Sequence, residues 1–180
     1  MLLENDISRI EITIDTTYTI DSADNRYYDF VLNPQNYKRD DYYKTLAIYI
    51  DLSYCEFTVA AIGSYYSYDF DCAVLENDIL TVLQNDNILQ IRITDGALLG
   101  CKVLECIGIN YGIYSLPDGY VVYGELEISK FSKNLNKMWE FSCKDVFVSF
   151  ELCDSYIKLS DWDDTHYELD FDGHLIREYN

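Results

Sequence analysis

Three Asp-Gly pairs, Asp95-Gly96, Asp118-Gly119 and Asp172-Gly173, each stand between segments in which apolar and polar residues alternate, and they constrain the chain more than any other feature. Asp and Gly tolerate the positive φ that tight primed turns demand, and those turns carry the twist of the strands they join. Each pair therefore predicts a β-hairpin. The first joins 88–94 to 97–104. The second, preceded by Pro117, leads into 120–128, where Val122, Gly124, Leu126 and Ile128 share one face and Tyr123, Glu125 and Glu127 the other. The third joins 167–171 to 174–179, with Tyr167, Leu169 and Phe171 inward and His166, Glu168 and Asp170 toward water.

The same period of two runs earlier in the chain. Ile10, Ile12 and Ile14 alternate with Glu11, Thr13 and Asp15, and Leu46, Ile48, Ile50 and Leu52 alternate with Ala47, Tyr49 and Asp51. The 18 Tyr and 8 Phe suit such half-wet pleated surfaces, where a ring packs and a phenol reaches solvent. Helical periodicity is confined to a short polar stretch at 35–44 after Pro34 and a turn or two at 76–84. No internal repeat, linker or low-complexity tract divides the sequence. The expectation is one mainly β domain over 1–180, an antiparallel sandwich or partly closed barrel with one or two short helices.

Charge narrows function. With 13 Lys and Arg against 32 Asp and Glu, the 180-residue chain carries a formal net charge of −19. Phosphate backbones and anionic lipid surfaces are bound by displacing counterions with cations, so nucleic acid and membrane are poor partners. The longest apolar stretch, 57–62, is far short of the roughly 20 residues of a spanning helix. Acids at Glu4 and Asp6 stand where a secretory signal needs cations, which suggests a cytoplasmic protein. In that compartment the six cysteines (55, 72, 101, 106, 143 and 153) are expected as free thiols.

No motif in the chain carries catalytic chemistry. Glu168-x-Asp170-x-Asp172-Gly173 begins like a calcium loop, but the twelfth position is Tyr179 rather than an acid. Cys101 and Cys106 lack the short spacing and second ligand pair of a zinc site. Cys153 with His166, or Ser160 with His166 and Asp164, supply the residue types of a nucleophile and base, and 32 acids supply carboxylate pairs as in a glycosidase. Such arrangements are defined by geometry, and strand parity turns His166 to solvent. The reading is no catalytic residue, no metal and no cofactor.

Two stretches suit a protein interface. In the first, Ser64-Tyr65-Tyr66-Ser67-Tyr68-Asp69-Phe70-Asp71, the tyrosines (Tyr65, Tyr66, Tyr68) offer contact area at low entropy cost, and the carboxylates (Asp69, Asp71) accept bidentate bonds from Arg. The second gathers Asp161, Trp162, Asp163 and Asp164. Tyr27, Tyr28, Tyr42 and Tyr43 share the pattern but lie beside Arg26, Lys38 and Arg39. Trp139 and Phe141 share one parity and read as core aromatics.

Trp139-Glu140-Phe141-Ser142, Asp145-Val146-Phe147-Val148-Ser149 and Tyr167-Glu168-Leu169-Asp170-x-x-Gly173, together with size and charge, give the last quarter of the chain a resemblance to small acidic mainly β immunity proteins of bacterial polymorphic and contact-dependent toxin systems. The resemblance implies an inhibitor that binds a cognate toxin, often a basic nuclease, and occludes its active surface. A basic protein partner is what the charge predicts as well, because the field of an acidic chain steers a cationic one. Two other classes fit the same composition: a phage-type DNA mimic that inhibits a host defence enzyme, and a small carboxylate- or Cys/His-dependent hydrolase. Extended rows of acids would favour the mimic, and a concave pocket around His166 or Cys153 the hydrolase.

Overall fold

The computed structural model describes residues 1–64, 71–105 and 108–180, and every regular element among them is a strand. The chain divides into two compact units, Met1–Leu104 and Glu105–Asn180, each built of two sheets.

In the first unit, strands β1 (Leu2–Glu4), β2 (Ser8–Asp15), β3 (Phe30–Leu32), β4 (Lys44–Leu52) and β5 (Cys55–Gly63) form a sheet in the order β1-β2-β4-β5-β3. All its pairs are antiparallel except β3 beside β5. The alternation read from the sequence sets its faces. Ile12, Ile48 and Val59 are successive register partners, and all three are fully buried. They join Leu80, Val82, Leu89 and Ile91 of a second sheet in one apolar core. That sheet is a meander of β6 (Ala73–Glu76), β7 (Ile79–Gln84), β8 (Asn87–Arg92) and β9 (Leu98–Val103). On the reverse of the first sheet, Tyr18 and Tyr28 pack over Ala47 and Ala60, and the Tyr28 hydroxyl donates to Asp15 at 2.6 Å.

The second unit holds two further four-stranded meanders. One comprises β10 (Asn110–Leu116), β11 (Gly119–Gly124), β12 (Ile128–Ser132) and β13 (Lys137–Phe141). The other comprises β14 (Phe147–Leu152), β15 (Ile157–Asp161), β16 (His166–Leu169) and β17 (Leu175–Tyr179). Leu116, Val121 and Ile128 pack with Phe147, Ile157, Leu159, Tyr167 and Leu169, and Trp139 and Phe141 lie half-buried at the margin of this core. The Phe171 carbonyl accepts from both Trp139 Nε1 (3.1 Å) and Lys130 Nζ (2.9 Å). Lys130 is 1% exposed, and its ammonium also meets Asp118 at 2.8 Å.

The three meanders repeat. They open at Ala73, Asn110 and Phe147, a constant step of 37 residues. The carbonyl just before each opening strand, of Cys72, Ile109 and Val146, accepts a backbone N–H from the end of the second strand or the residue just after it: Leu83 (2.7 Å), Glu125 (2.7 Å) and Trp162 (3.0 Å). The third turn of each contains a residue with positive φ, Gly96 (69°), Leu135 (60°) and Gly173 (85°). The sequence conceals this repeat because backbone bonds and turn geometry carry it, while the side chains at equivalent places differ. Leu135 occupies a conformation that Gly fills in the other two meanders.

The mainly β expectation holds, and the three Asp-Gly pairs join strands as expected. In place of a single sandwich or barrel stand four sheets, none of which closes on itself. Neither expected helix forms among the described residues. The 76–84 stretch is the β6-β7 hairpin, since Asn77 takes φ 55° in the turn and Leu80 and Val82 alternate into the core. At 35–44 the Asn33 side chain closes a loop, accepting from Tyr37 N and donating to Tyr37 O, both at 2.9 Å. The single strand read over 120–128 is broken by a turn in which Gly124 N donates to Glu127 O at 2.9 Å, leaving Leu126 exposed.

Gly96 gives a direct check on the first hairpin. A Cβ there would lie 2.5 Å from the Phe30 ring and adopt an unfavourable φ. Replacing Gly96 with Ala is expected to cost about 1–2 kcal/mol in urea unfolding, the penalty of a left-handed L-residue plus displacement of the ring.

Candidate partner-binding turn

The turn between β15 and β16 is built around a carboxylate that points inward. Asp161 is 2% exposed. Its Oδ1 accepts from the N–H groups of Asp163 and Thr165, each at 3.0 Å, and its Oδ2 accepts from the buried Tyr167 hydroxyl at 2.7 Å. Asp161 N donates to Thr165 O, and Asp164 takes φ 60°, a conformation that Asp tolerates better than most side chains. Burial by itself would push the Asp161 carboxyl up. The Tyr167 hydroxyl and the two backbone donors outweigh it, and the group is held below the ordinary carboxylate value. Burial and the adjoining carboxylate push the Tyr167 phenol well above its usual range.

What this frame displays is Trp162. Its backbone N–H is tied to Val146 O, while the residue is 71% exposed and is followed by the exposed Asp163 and Asp164. A large aromatic ring is costly to leave in water, and here the backbone beneath it is held by hydrogen bonds on both sides. The arrangement offers an apolar anchor next to two negatively charged residues on a braced turn, which suits a cationic protein surface.

Of the residues singled out in the sequence, Asp161, Trp162, Asp163 and Asp164 thus share this one turn. Asp161 serves as its internal brace, and the other three form its outer surface. Tyr65, Tyr66, Tyr68 and Asp69 lie outside the described residues. Asp71 is exposed and belongs to the first unit. The flank of the stretch is described: Ser64 N donates to Asp86 Oδ1 at 3.1 Å, and Asp86 Oδ2 accepts from Tyr37 OH (2.7 Å) and Gln35 Nε2 (2.9 Å). The other tyrosines separate by exposure, Tyr27 and Tyr42 outward at 80% and 71% and Tyr28 buried.

Sequence reasoning placed Asp161 on the surface with its neighbours and did not find Asp86, Tyr37 or the tie from Val146. The inward parity of Tyr167 was the available signal, since a buried phenol requires an acceptor nearby.

The residues offered by the sequence for a nucleophilic triad are placed differently. Ser160 and His166 are register partners, but the Ser160 hydroxyl pairs with Ser149 and the His166 ring stacks on Tyr179. Their face of the sheet carries the row Glu151, Lys158, Glu168 and Arg177, neighbours across successive strands with alternating charge. The calcium-like stretch is a turn in which Asp170 Oδ1 accepts from Asp172 N and His174 N. Among the described residues no three His, Cys, Asp or Glu side chains gather as metal ligands. The described cysteines (55, 72, 101, 143 and 153) are free thiols. Among the described residues no helix is long and apolar enough to cross a membrane.

No protein-family model matches the sequence, and no curated protein matches it. Solved structures do resemble it. BamB from Moraxella catarrhalis is 14% identical with a TM-score of 0.54 over 76% of this chain and 47% of its own. The computationally designed Ika8 protein is 10% identical with a TM-score of 0.54 over 77% and 46%. The dihydro-heme d1 dehydrogenase NirN is 10% identical with a TM-score of 0.55 over 76% and 34%. The chain therefore spans less than half the length of each. These neighbours are β-propeller-like, and the likeness is one of fold: a propeller blade is a four-stranded meander of the kind that repeats here.

Proposed function

We propose that this chain is an acidic protein-binding inhibitor, and that it serves as a cytoplasmic immunity protein that neutralises a cognate bacterial toxin by covering its basic active surface. The observation that carries this reading is Trp162, exposed on a braced turn beside the exposed Asp163 and Asp164. A net charge of −19 supports it from a distance, because the protein's field raises the encounter rate with a cationic partner. Carboxylates would take the place of substrate phosphates on a basic nuclease, and the tryptophan would slow release by filling an apolar pocket between the partner's cations. A rigid sheet scaffold that carries function on its loops is compatible with this role.

The test begins with capture from an extract of the native cell, elution by a salt step, and an activity assay on the captured protein with and without this chain. Capture of one basic protein whose activity is inhibited supports the proposal. Trp162→Ala is expected to weaken that complex about 30-fold, roughly 2 kcal/mol as for an interface anchor, while stability moves by less than about 0.5 kcal/mol. Inhibition that survives both Trp162→Ala and the charge reversal Asp163→Lys with Asp164→Lys would remove this turn from the interface. A captured partner of acidic character would remove the electrostatic reading.

A further inference from the structure

The three Asp-Gly pairs that turn hairpins share a chemical liability as well as a turn. In such a pair the glycine amide nitrogen follows the aspartate carboxyl directly, and with no Cβ on the glycine nothing shields one from the other. Attack of that nitrogen on the side-chain carboxyl carbon closes a succinimide ring. The carboxyl must carry a proton, so that its hydroxyl can leave as water, and it must be free to turn onto the backbone.

The structure separates the three pairs on that requirement. Asp95 is clamped by Arg92, whose Nε and Nη2 donate to its two oxygens at 2.9 and 2.7 Å, and Ala97 N donates to Oδ1 at 3.1 Å. Asp118 Oδ2 is held at 2.8 Å by the Lys130 ammonium. These cations keep both carboxyls below the ordinary value, which withholds the proton as well. Asp172 differs. It is exposed, its backbone N–H donates to Asp170 Oδ1 at 2.9 Å, and among the described residues no donor or cation engages its carboxylate. Exposure does not make the distinction, because the Asp95 and Asp118 side chains are also half-exposed. Nor does the amide, since Gly96 N donates to Arg92 O at 2.9 Å much as Gly173 N does to Asp170 O at 3.1 Å.

We propose that Asp172-Gly173 is a site of spontaneous modification, where the folded chain converts its own peptide bond into an isoaspartyl linkage. The Gly173 nitrogen bonds to Asp172 Cγ, and its proton leaves with the carboxyl hydroxyl as water. Water then adds at the former main-chain carbonyl carbon of Asp172 and breaks its bond to the Gly173 nitrogen. The mass is unchanged overall, but the backbone path now runs through Asp172 Cβ and Cγ, and the α-carboxylate is set free.

The position gives the change a structural consequence. A Cβ on Gly173 would lie 2.6 Å from the Trp139 ring, so the indole rests directly on this glycine. Trp139 Nε1 donates to Phe171 O, which also accepts from the Lys130 ammonium. Lengthening the backbone next to Gly173 moves the glycine relative to the indole and disturbs that shared acceptor. This inference does not depend on the proposed function and can fail without it.

The test is incubation of the full folded chain at neutral pH and physiological temperature, followed over time by peptide mapping with mass spectrometry. The expected result is a peptide containing residues 172–173 with unchanged mass and altered retention, resistant at residue 172 to an aspartate-specific protease. It should grow with time while the peptides over 95–96 and 118–119 stay unaltered. Asp172→Glu is expected to abolish it, because the longer side chain must close a larger ring. Arg92→Gln should release the Asp95 carboxylate and start the same reaction at 95–96, at little cost to folding because that ion pair is half-exposed. The Trp139 indole N–H resonance should shift in step with the isomer in the wild type and stay in place in Asp172→Glu. No isomer at residue 172, or equal accumulation at all three pairs, would overturn the proposal. An Arg92→Gln chain that leaves Asp95 intact would overturn the account of why the pairs differ.

Discussion

Lys130→Ala is expected to lower the unfolding free energy by about 3–4 kcal/mol, measured by urea denaturation. Three buried methylenes beyond Cβ are worth roughly 0.8 kcal/mol each, and the cavity left by a side chain this enclosed adds to that. The Phe171 carbonyl would keep its bond from Trp139 but lose the ammonium. Lys130→Met is expected to recover most of the loss, because it refills the space and leaves Asp118 exposed to water, where a carboxylate costs little. Asp118→Ala should instead cost about as much as Lys130→Ala, since it strips a buried charge of its counterion. If all three variants were neutral, the lysine would not be enclosed as described.

Asp118 adds a pH signature. The Lys130 ammonium is the main reason its carboxyl sits below the ordinary value. A carboxyl depressed in the folded state contributes stability in full above its unfolded value, and that contribution disappears as pH falls through the folded one.

Asp161→Ala is the second large effect, about 3 kcal/mol by the same measurement. It leaves the buried Tyr167 hydroxyl without its acceptor and two backbone N–H groups of the turn without theirs, at roughly 1 kcal/mol each. Asp161→Asn keeps an acceptor oxygen for the two N–H groups and should cost only about 1 kcal/mol. The alanine variant should also weaken partner binding about tenfold although Asp161 faces inward, because the turn that presents Trp162 loses its brace. Binding unchanged in a destabilised Asp161→Ala would separate the brace from the interface. Here too the carboxyl is depressed on folding, so its stabilising contribution is complete near neutral pH. Acid removes it, beginning as pH drops below the ordinary carboxylate range and ending below the folded value.

Much of the local structure was legible. The alternation of Ile10, Ile12 and Ile14 and of Leu46, Ile48, Ile50 and Leu52 marked real strands and their buried faces. Tyr167 and Leu169 lie inward as their parity required, and Asp-Gly marked real turns. These signals are local: a side-chain period of two and a positive φ are properties of neighbouring residues. Where a nonlocal contact competed, the reading failed. The 35–44 stretch carried a polar helix pattern, but Asn33 and the Asp86 anchor on Tyr37 hold it as a loop. Asp161 looked like one more surface acid among Asp163 and Asp164, and only the packing of Tyr167 beneath it turned it inward.

The sequence by itself determined that the chain would pair strands, where three of its hairpins would turn, and that the chain would carry a large negative charge. Periodicity, turn chemistry and net charge can each be read without knowing which segments meet. Only the tertiary structure decided that the strands would separate into four sheets in two units, and that three of them would repeat at a step of 37 residues. It alone distinguished the acid that braces a turn from those that face solvent, and enclosed one lysine among thirteen cations. Burial is a property of what covers a residue, and the covering atoms come from strands distant in sequence, so identical local patterns leave one carboxylate in water and another beneath a tryptophan turn.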